Sequence, residues 1–172
     1  MTIILCEGPD GTGKTTLAKN EFPDYEYIHN GVFPTPMHAY SEYKRQISQW
    51  NQNSNVFVDR QHISERIYGS AYHGIFMDDM LYHEIDNMLY ERSAIVVLCL
   101  PKYEVSVRNW ASRASLEMLS SVNDYWRIYQ KYESMLYSSN YSRWLTKLPI
   151  IAYDYLNPID LRQALHNASV SY

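Results

Sequence analysis

Short apolar runs recur along the chain, each followed by a longer stretch of mixed polarity. They cover residues 3 to 6, 56 to 58, 94 to 100 and 149 to 153, with a weaker Tyr25-Glu26-Tyr27-Ile28 run between the first two. Runs of this length read as buried strands, and the stretches between them can hold the crossover helices that parallel strands require. Strand, helix, strand alternation predicts an α/β layer fold with a largely parallel sheet. Residues 39 to 50 carry Tyr40, Tyr43, Ile47 and Trp50 at intervals of three or four; residues 122 to 136 carry Val122, Tyr125, Trp126, Tyr129, Tyr132 and Leu136 likewise. Both stripes predict amphipathic helices facing the core. Asn157-Pro158 is expected to open a last helix, with Asn as N-cap and Pro at the first helical position. No repeat, low-complexity tract or linker divides the chain, so residues 1–172 are expected to form one domain.

The first apolar run breaks into Gly8-Pro9-Asp10-Gly11-Thr12-Gly13-Lys14-Thr15, followed by Thr16-Leu17-Ala18-Lys19. This fits G-x-x-x-x-G-K-[ST] in its required place, after a strand and at the start of a helix. Glycines let successive backbone N–H groups curl around a phosphate, and the helix turns its positive end to the same anion. The expected ATP-binding set is therefore Gly8, Pro9, Asp10, Gly11, Thr12, Gly13, Lys14, Thr15 and Thr16, with Lys14 at the β and γ phosphates and the Thr15 hydroxyl on Mg²⁺. A signalling GTPase would add an Asn-Lys-x-Asp guanine reader, and no such tetrapeptide occurs. With 172 residues the chain is short for a mechanochemical ATPase.

Composition narrows the picture further. A net charge of −4 offers no broad positive surface for nucleic acid, so phosphate must be handled locally. Two cysteines, both in apolar runs, are too few for a disulfide framework or a zinc site and are expected to pack as small hydrophobes. The N-terminal apolar run is too short for a signal peptide, and no segment approaches the length that spans a membrane. A soluble, cytoplasmic protein is expected. Of 25 aromatic residues 17 are Tyr, a side chain suited to half-buried surfaces and polar pocket walls.

The third strand ends Val56-Phe57-Val58-Asp59-Arg60. That places an acid and an arginine at the carboxyl edge of the sheet, where open α/β sheets bind ligands, and Asp59 can hold the magnesium shell. If the next stretch is helical, Ser64 and Tyr68 share a face, with Arg60 a turn earlier. Plain helix packing also accounts for Ser64 and Tyr68, and a structural ion pair for Asp59-Arg60.

Glu7-Gly8-Pro9-Asp10-Gly11-Thr12-Gly13-Lys14-Thr15-Thr16 resembles the E-G-x-D-x-x-G-K-[ST]-T loop of thymidylate kinases, and Asp59-Arg60 with Ser64 and Tyr68 is similar to their D-R-[YH]-x-x-S-x-x-A-Y-Q stretch. The resemblance covers roughly residues 3 to 20, 56 to 69 and 94 to 113. It implies a three-layer P-loop kinase fold with a five-stranded parallel sheet and a short lid, using ATP and Mg²⁺ to phosphorylate a (deoxy)nucleoside 5′-monophosphate, dTMP or a related one. By the same resemblance Asp10 helps orient the acceptor sugar, Arg60 contacts the acceptor phosphate or its surroundings, Ser64 and Tyr68 border base and sugar, and Phe33 of Phe33-Pro34 stacks on the base. A homodimer is also implied. Gln61, Ile67 and Gly69 depart from the family pattern, which leaves the base open. Ser64-Glu65-Arg66-Ile67-Tyr68-Gly69 is similar to the wording of small viral (phage) nucleotide kinases, which would place the protein in a host cytoplasm.

Transfer of a phosphoryl group needs cations beyond Lys14 and Mg²⁺. The phosphate loop carries no arginine, so Arg108 and Arg113, following Pro101-Lys102 after the fourth strand, are the expected lid arginines, in a reduced lid over residues 108–119. Five residues apart, they lie about 140° around a helix, so one continuous helix would not aim both at one phosphate. Arg113 also fits an i to i+4 pair with Glu117. Lys14, Asp59, Arg108 and Arg113 are the candidate catalytic residues; Thr15 and Asp59 are the candidate metal residues. The competing readings are a deoxynucleoside kinase, a kinase acting on a modified base in DNA, and a non-catalytic nucleotide-binding regulator. A hydroxyl acceptor would benefit from a general base, but the second strand ends Tyr27-Ile28-His29-Asn30 without an acid there, which favours the monophosphate.

Overall fold

The computed structural model describes residues 1–51, 53–69, 77–113, 119 and 121–170. Five strands, β1 (Ile3–Glu7), β2 (Glu26–His29), β3 (Val56–Asp59), β4 (Ile95–Cys99) and β5 (Ile150–Tyr153), form one parallel sheet in the order β2-β3-β1-β4-β5. The three central strands are buried at every position, as continuous apolar runs in a covered parallel sheet should be. Edge strand β2 is largely exposed, which is why its run is weak in the sequence.

Helices complete the order: α1 (Lys14–Glu21), α2 (Pro36–Gln49), α3 (His62–Tyr68), α4 (Asp79–Glu91), α5 (Tyr103–Ala111), α6 (Val122–Tyr137), α7 (Ser139–Leu145) and α8 (Leu161–Val170). The strand pleat divides the core in two. Ile3, Leu5, Val56, Val58, Val96 and Leu98 face one layer with residues of α2 to α7, while Ile4, Cys6, Phe57, Ile95, Val97 and Cys99 face α1 and α8 on the other. This is the expected three-layer α/β architecture.

Several helix boundaries follow from caps. α2 begins earlier than its apolar stripe, because the Thr35 hydroxyl accepts from His38 N and Pro36 takes the first turn. The expected opening of the last helix at Asn157-Pro158 is corrected. Asn157 instead closes a turn on Asp154, its N bonding Asp154 O at 2.9 Å and its amide Asp154 Oδ2 at 2.8 Å. The Asp160 carboxylate accepts from Gln163 N at 3.0 Å and starts α8 three residues later. The stripe on α6 is also revised: Tyr125, Ile128, Tyr129, Tyr132 and Met135 are buried, whereas Val122 and Trp126 are exposed.

Cys6 and Cys99 are fully buried free thiols on adjacent strands, their sulfurs 3.5 Å apart. Among the described residues no helix is long and apolar enough to cross a membrane.

Candidate active site

The chain between β1 and α1 curls over the carboxyl edge of the sheet with Gly8, Gly11 and Gly13 all at positive φ. Two of these glycines are also demanded by space. A Cβ on Gly8 (φ 140) would lie 2.3 Å from the Cys99 carbonyl oxygen, and one on Gly11 (φ 77) 2.7 Å from Trp110 N. The loop is thereby pressed against the end of β4 and the flank of α5. Lys14 is buried, and its ammonium donates to the carbonyls of Gly8 at 2.8 Å and Pro9 at 2.7 Å, which holds its charge over the loop.

Side chains from distant segments brace the loop from outside. Tyr125 donates to the Asp10 carbonyl at 2.8 Å, and its ring stacks on Trp110. Asn109 donates to the Gly11 carbonyl at 3.1 Å and to Tyr155 OH at 2.8 Å. None of these braces was read from the sequence. The only signal was the Tyr stripe on α6, which by itself means core.

Asp59, at the end of β3, is buried and forms the electrostatic centre. Its Oδ2 accepts from Thr15 Oγ1 at 3.0 Å and Tyr27 OH at 2.9 Å, with His29 Nδ1 at 3.5 Å. Burial opposes its ionisation, but the hydrogen bonds from His29 and Tyr27 and the charges of Lys14 and Arg60 outweigh that, and its pKa is pulled down to about 2. Oδ1 is buried and has no hydrogen-bond partner. An ionised carboxylate with one unspent oxygen, next to the Thr15 hydroxyl, is a hard-oxygen donor set that fits a divalent cation keeping most of its own water. Register explains the contribution of β2, since His29 is the direct neighbour of Asp59.

Arg60 follows in left-handed backbone (φ 72), a costly conformation for a residue with a Cβ. It is fixed by Arg60 N donating to Cys6 O at 3.1 Å and Asn30 Nδ2 donating to Arg60 O at 2.7 Å. Arg60 therefore precedes α3 rather than lying on it a turn before Ser64. Its guanidinium bonds Asp10 Oδ1 and sits 4.9 Å from the Tyr68 ring centroid, while Tyr68 OH donates to Asp10 Oδ2 at 3.2 Å. Asp10, Arg60 and Tyr68 thus form one linked group.

Ser64 borders the cavity, and its hydroxyl donates to the buried Glu7 carboxylate and lies 2.8 Å from Tyr132 OH. Glu7 also accepts from Gln61 N at 2.9 Å, and burial pushes its pKa up against the pull of these donors.

One cavity of about 660 Å³ runs from the phosphate loop past Asp59 and Arg60 to Phe33, Tyr43, Glu65 and Tyr68. The volume suits a small-molecule ligand. Phe33 packs edge-on against Tyr43, their centroids 5.3 Å apart. A second cavity of about 600 Å³ lies on the other side of the loop, between Gly11, Gly13, Asn109, Arg113, Tyr155 and Pro158. The two expected lid arginines separate. α5 stops at Ala111, and Arg113 beyond it borders both cavities, whereas Arg108 stands exposed outside their walls. Residues 114–118 of the expected lid, including Glu117, lie outside the described residues.

No protein-family model matches the sequence, and no curated protein matches it significantly. Solved structures do. The YorR protein from Bacillus subtilis, solved with phosphorylated GDP, is 18% identical with a TM-score of 0.68, over 96% of this chain and 92% of that one. Deoxyadenosine kinase from M. mycoides with bound dATP is 17% identical with a TM-score of 0.61, over 99% and 100% of the two chains. Shikimate kinase from Acinetobacter baumannii in complex with shikimate is 14% identical with a TM-score of 0.51, over 97% and 90%. These likenesses, together with the phosphate loop and the β2-β3-β1-β4-β5 sheet, show that the chain has the P-loop kinase fold.

Proposed function

We propose that the chain transfers the γ-phosphoryl group of ATP to a (deoxy)nucleoside 5′-monophosphate, giving ADP and the diphosphate. The observation that carries this reading is the single cavity joining the phosphate loop to the Arg60, Phe33 and Tyr68 wall, with a second cavity behind the loop for the donor's base. A donor and an acceptor can then meet end to end at Lys14, which is the placement that in-line transfer requires. The nucleotide complexes of the YorR protein and deoxyadenosine kinase support nucleotides as occupants of this fold.

The loop N–H groups and Lys14 hold the β and γ phosphates. On this reading Arg60, on the cavity wall, meets the acceptor phosphate, and Asp10, bonded by Arg60 and Tyr68, offers carboxylate oxygens to a sugar hydroxyl. Arg113 supplies charge from the rim of both cavities. Mg²⁺, held through Thr15 and Asp59, would neutralise charge on the phosphates. A monophosphate is ionised at neutral pH and needs no base to attack.

A second reading, phosphorylation of a deoxynucleoside hydroxyl, is favoured by the full-length likeness to deoxyadenosine kinase. Incubating the protein with ATP, Mg²⁺ and a panel of monophosphates and nucleosides while following ADP release decides between them. Acceptor-dependent release from monophosphates supports the first reading; release from nucleosides alone replaces it with the second.

A further inference from the structure

The Asp59 carboxylate is held from the edge of the sheet by a residue to which neither the phosphate loop nor the family resemblance gives a role. Tyr27 lies on edge strand β2 and is 43% exposed, so by position it reads as a surface tyrosine. Its ring stacks on Phe57, the residue beside it in the β2–β3 register, with centroids 6.2 Å apart and planes 28° off parallel. Side chains alternate along a strand, so Tyr27 and His29 share one face of β2, and Phe57 and Asp59 the matching face of β3. The Tyr27 hydroxyl thus reaches past Phe57 and donates to Asp59 Oδ2 at 2.9 Å. Burial and the charge of Asp59 outweigh the opposing pull of Thr15 and push the Tyr27 hydroxyl pKa up to about 12, so it keeps the proton it donates.

The two oxygens of Asp59 are thereby divided. Oδ2 accepts from Tyr27 OH and from Thr15 Oγ1 at 3.0 Å, with His29 Nδ1 at 3.5 Å, whereas buried Oδ1 has no hydrogen-bond partner. Thr15 has one hydroxyl proton and gives it to Oδ2, which leaves its lone pairs for another partner. Thr15 belongs to α1 and Tyr27 to β2, so the carboxylate is gripped between two elements instead of hanging on one bond about which it can turn. Resting on the ATP and Mg²⁺ reading above and deepening it, we propose that Tyr27 is a positioning residue for the cation site: by holding Oδ2 it presents Oδ1, and it sets the affinity for Mg²⁺ without entering the transfer itself. Groups that orient a metal ligand from behind commonly change metal affinity by about 10- to 100-fold when removed. Without the Tyr27 hydroxyl the carboxylate must be brought into place as the cation binds, which weakens binding. Once in place it serves the transfer unchanged.

The test compares Tyr27→Phe, which keeps the ring on Phe57 and removes the hydroxyl, with Tyr82→Phe, which removes a buried tyrosine's bond to Leu145 O and borders neither cavity. Calorimetry measures ADP affinity with and without Mg²⁺, and turnover of ATP with an active acceptor is followed over a Mg²⁺ series. Tyr27→Phe should bind ADP alone as the wild type does and lose about tenfold of the affinity that Mg²⁺ adds. It should also need about tenfold more Mg²⁺ for half-maximal turnover, yet reach the wild-type kcat in excess Mg²⁺. Tyr82→Phe should melt at a lower temperature and keep the full Mg²⁺ effect. A Tyr27→Phe protein that melts lower but keeps the wild-type Mg²⁺ effect gives the tyrosine a structural role alone and overturns the proposal. So does a kcat that stays low in excess Mg²⁺, or an equal loss of the Mg²⁺ effect in both variants. A wild type whose ADP binding does not respond to Mg²⁺ overturns the reading beneath the proposal as well.

Discussion

Removing the Ser64 hydroxyl separates a structural role from an acceptor-binding one. In the fully buried Glu7 carboxylate, Oε1 accepts from Gln61 N, and Oε2 accepts from Ser64 and, at a longer 3.3 Å, from Tyr132 OH. Ser64→Ala leaves Oε2 with the long contact alone. A hydrogen bond to an ionised group is worth roughly 1.5 to 3 kcal/mol, so a loss near 2 kcal/mol is expected. For a chain of this size that is about 4 to 8 °C in Tm. The loss should depend on pH. Burial raises the Glu7 pKa above 4.5, so the stability tied to its proton is fully present below 4.5 and is lost as pH rises through the raised value. Ser64 opposes that rise, so without it the pKa climbs further and the gap between wild type and variant widens from pH 4.5 toward 7. Calorimetric melting at pH 4.5 and pH 7, with the acceptor KM measured at pH 7, reads both effects. An unchanged Tm with an acceptor KM raised tenfold would refute the reasoning and return Ser64 to the acceptor.

Lys14→Ala should lower kcat by about a hundredfold or more through lost charge stabilisation while the far-ultraviolet circular dichroism stays native; turnover within tenfold of wild type would remove Lys14 from the chemistry. Arg113→Ala, at the rim of both cavities, should lower kcat about tenfold, and Arg108→Ala less than Arg113→Ala; equal effects would show that the cavity walls do not separate the two arginines. Buried Asp86 bonds His62, Thr146 and Lys147 N, and although burial opposes its ionisation, these partners hold its pKa below 3.8. Its contribution is present above 3.8 and lost as pH falls through the lowered value, so Asp86→Asn should cost about 3 kcal/mol at pH 7 and less in acid, and urea unfolding curves offset equally at both pH values would contradict this.

Local signals carried the reading where chemistry and backbone geometry are set within a few residues. The phosphate loop is legible because glycine spacing, Lys14 and the strand before it are contiguous, and the buried strands because parallel sheets leave no polar alternation. Asp59 and Arg60 were legible as a strand end. The partners that tune them were not: His29 and Tyr27 reach Asp59 only because β2 lies beside β3, and Asp10 meets Arg60 across fifty residues. The partner of the Ser64 hydroxyl was hidden for the same reason, since Glu7 sits 57 residues away. At Asn157-Pro158 a plausible cap signal lost to a stronger local competitor, the Asp154 turn.

The braces on the phosphate loop also bear on when the site comes into being. Tyr125 reaches the Asp10 carbonyl across 115 residues of sequence and Tyr132 reaches Glu7 across 125, while Tyr129 ties the same helix to Pro101 O. Contacts so distant along the chain carry a large loop-closure cost and tend to form late. The phosphate loop precedes α6 by more than a hundred residues, so it is synthesised well before the helix whose Tyr125 braces its Asp10 carbonyl. In a nascent chain the loop is present as sequence long before it is present as a shape, and its final curvature waits on the docking of α6.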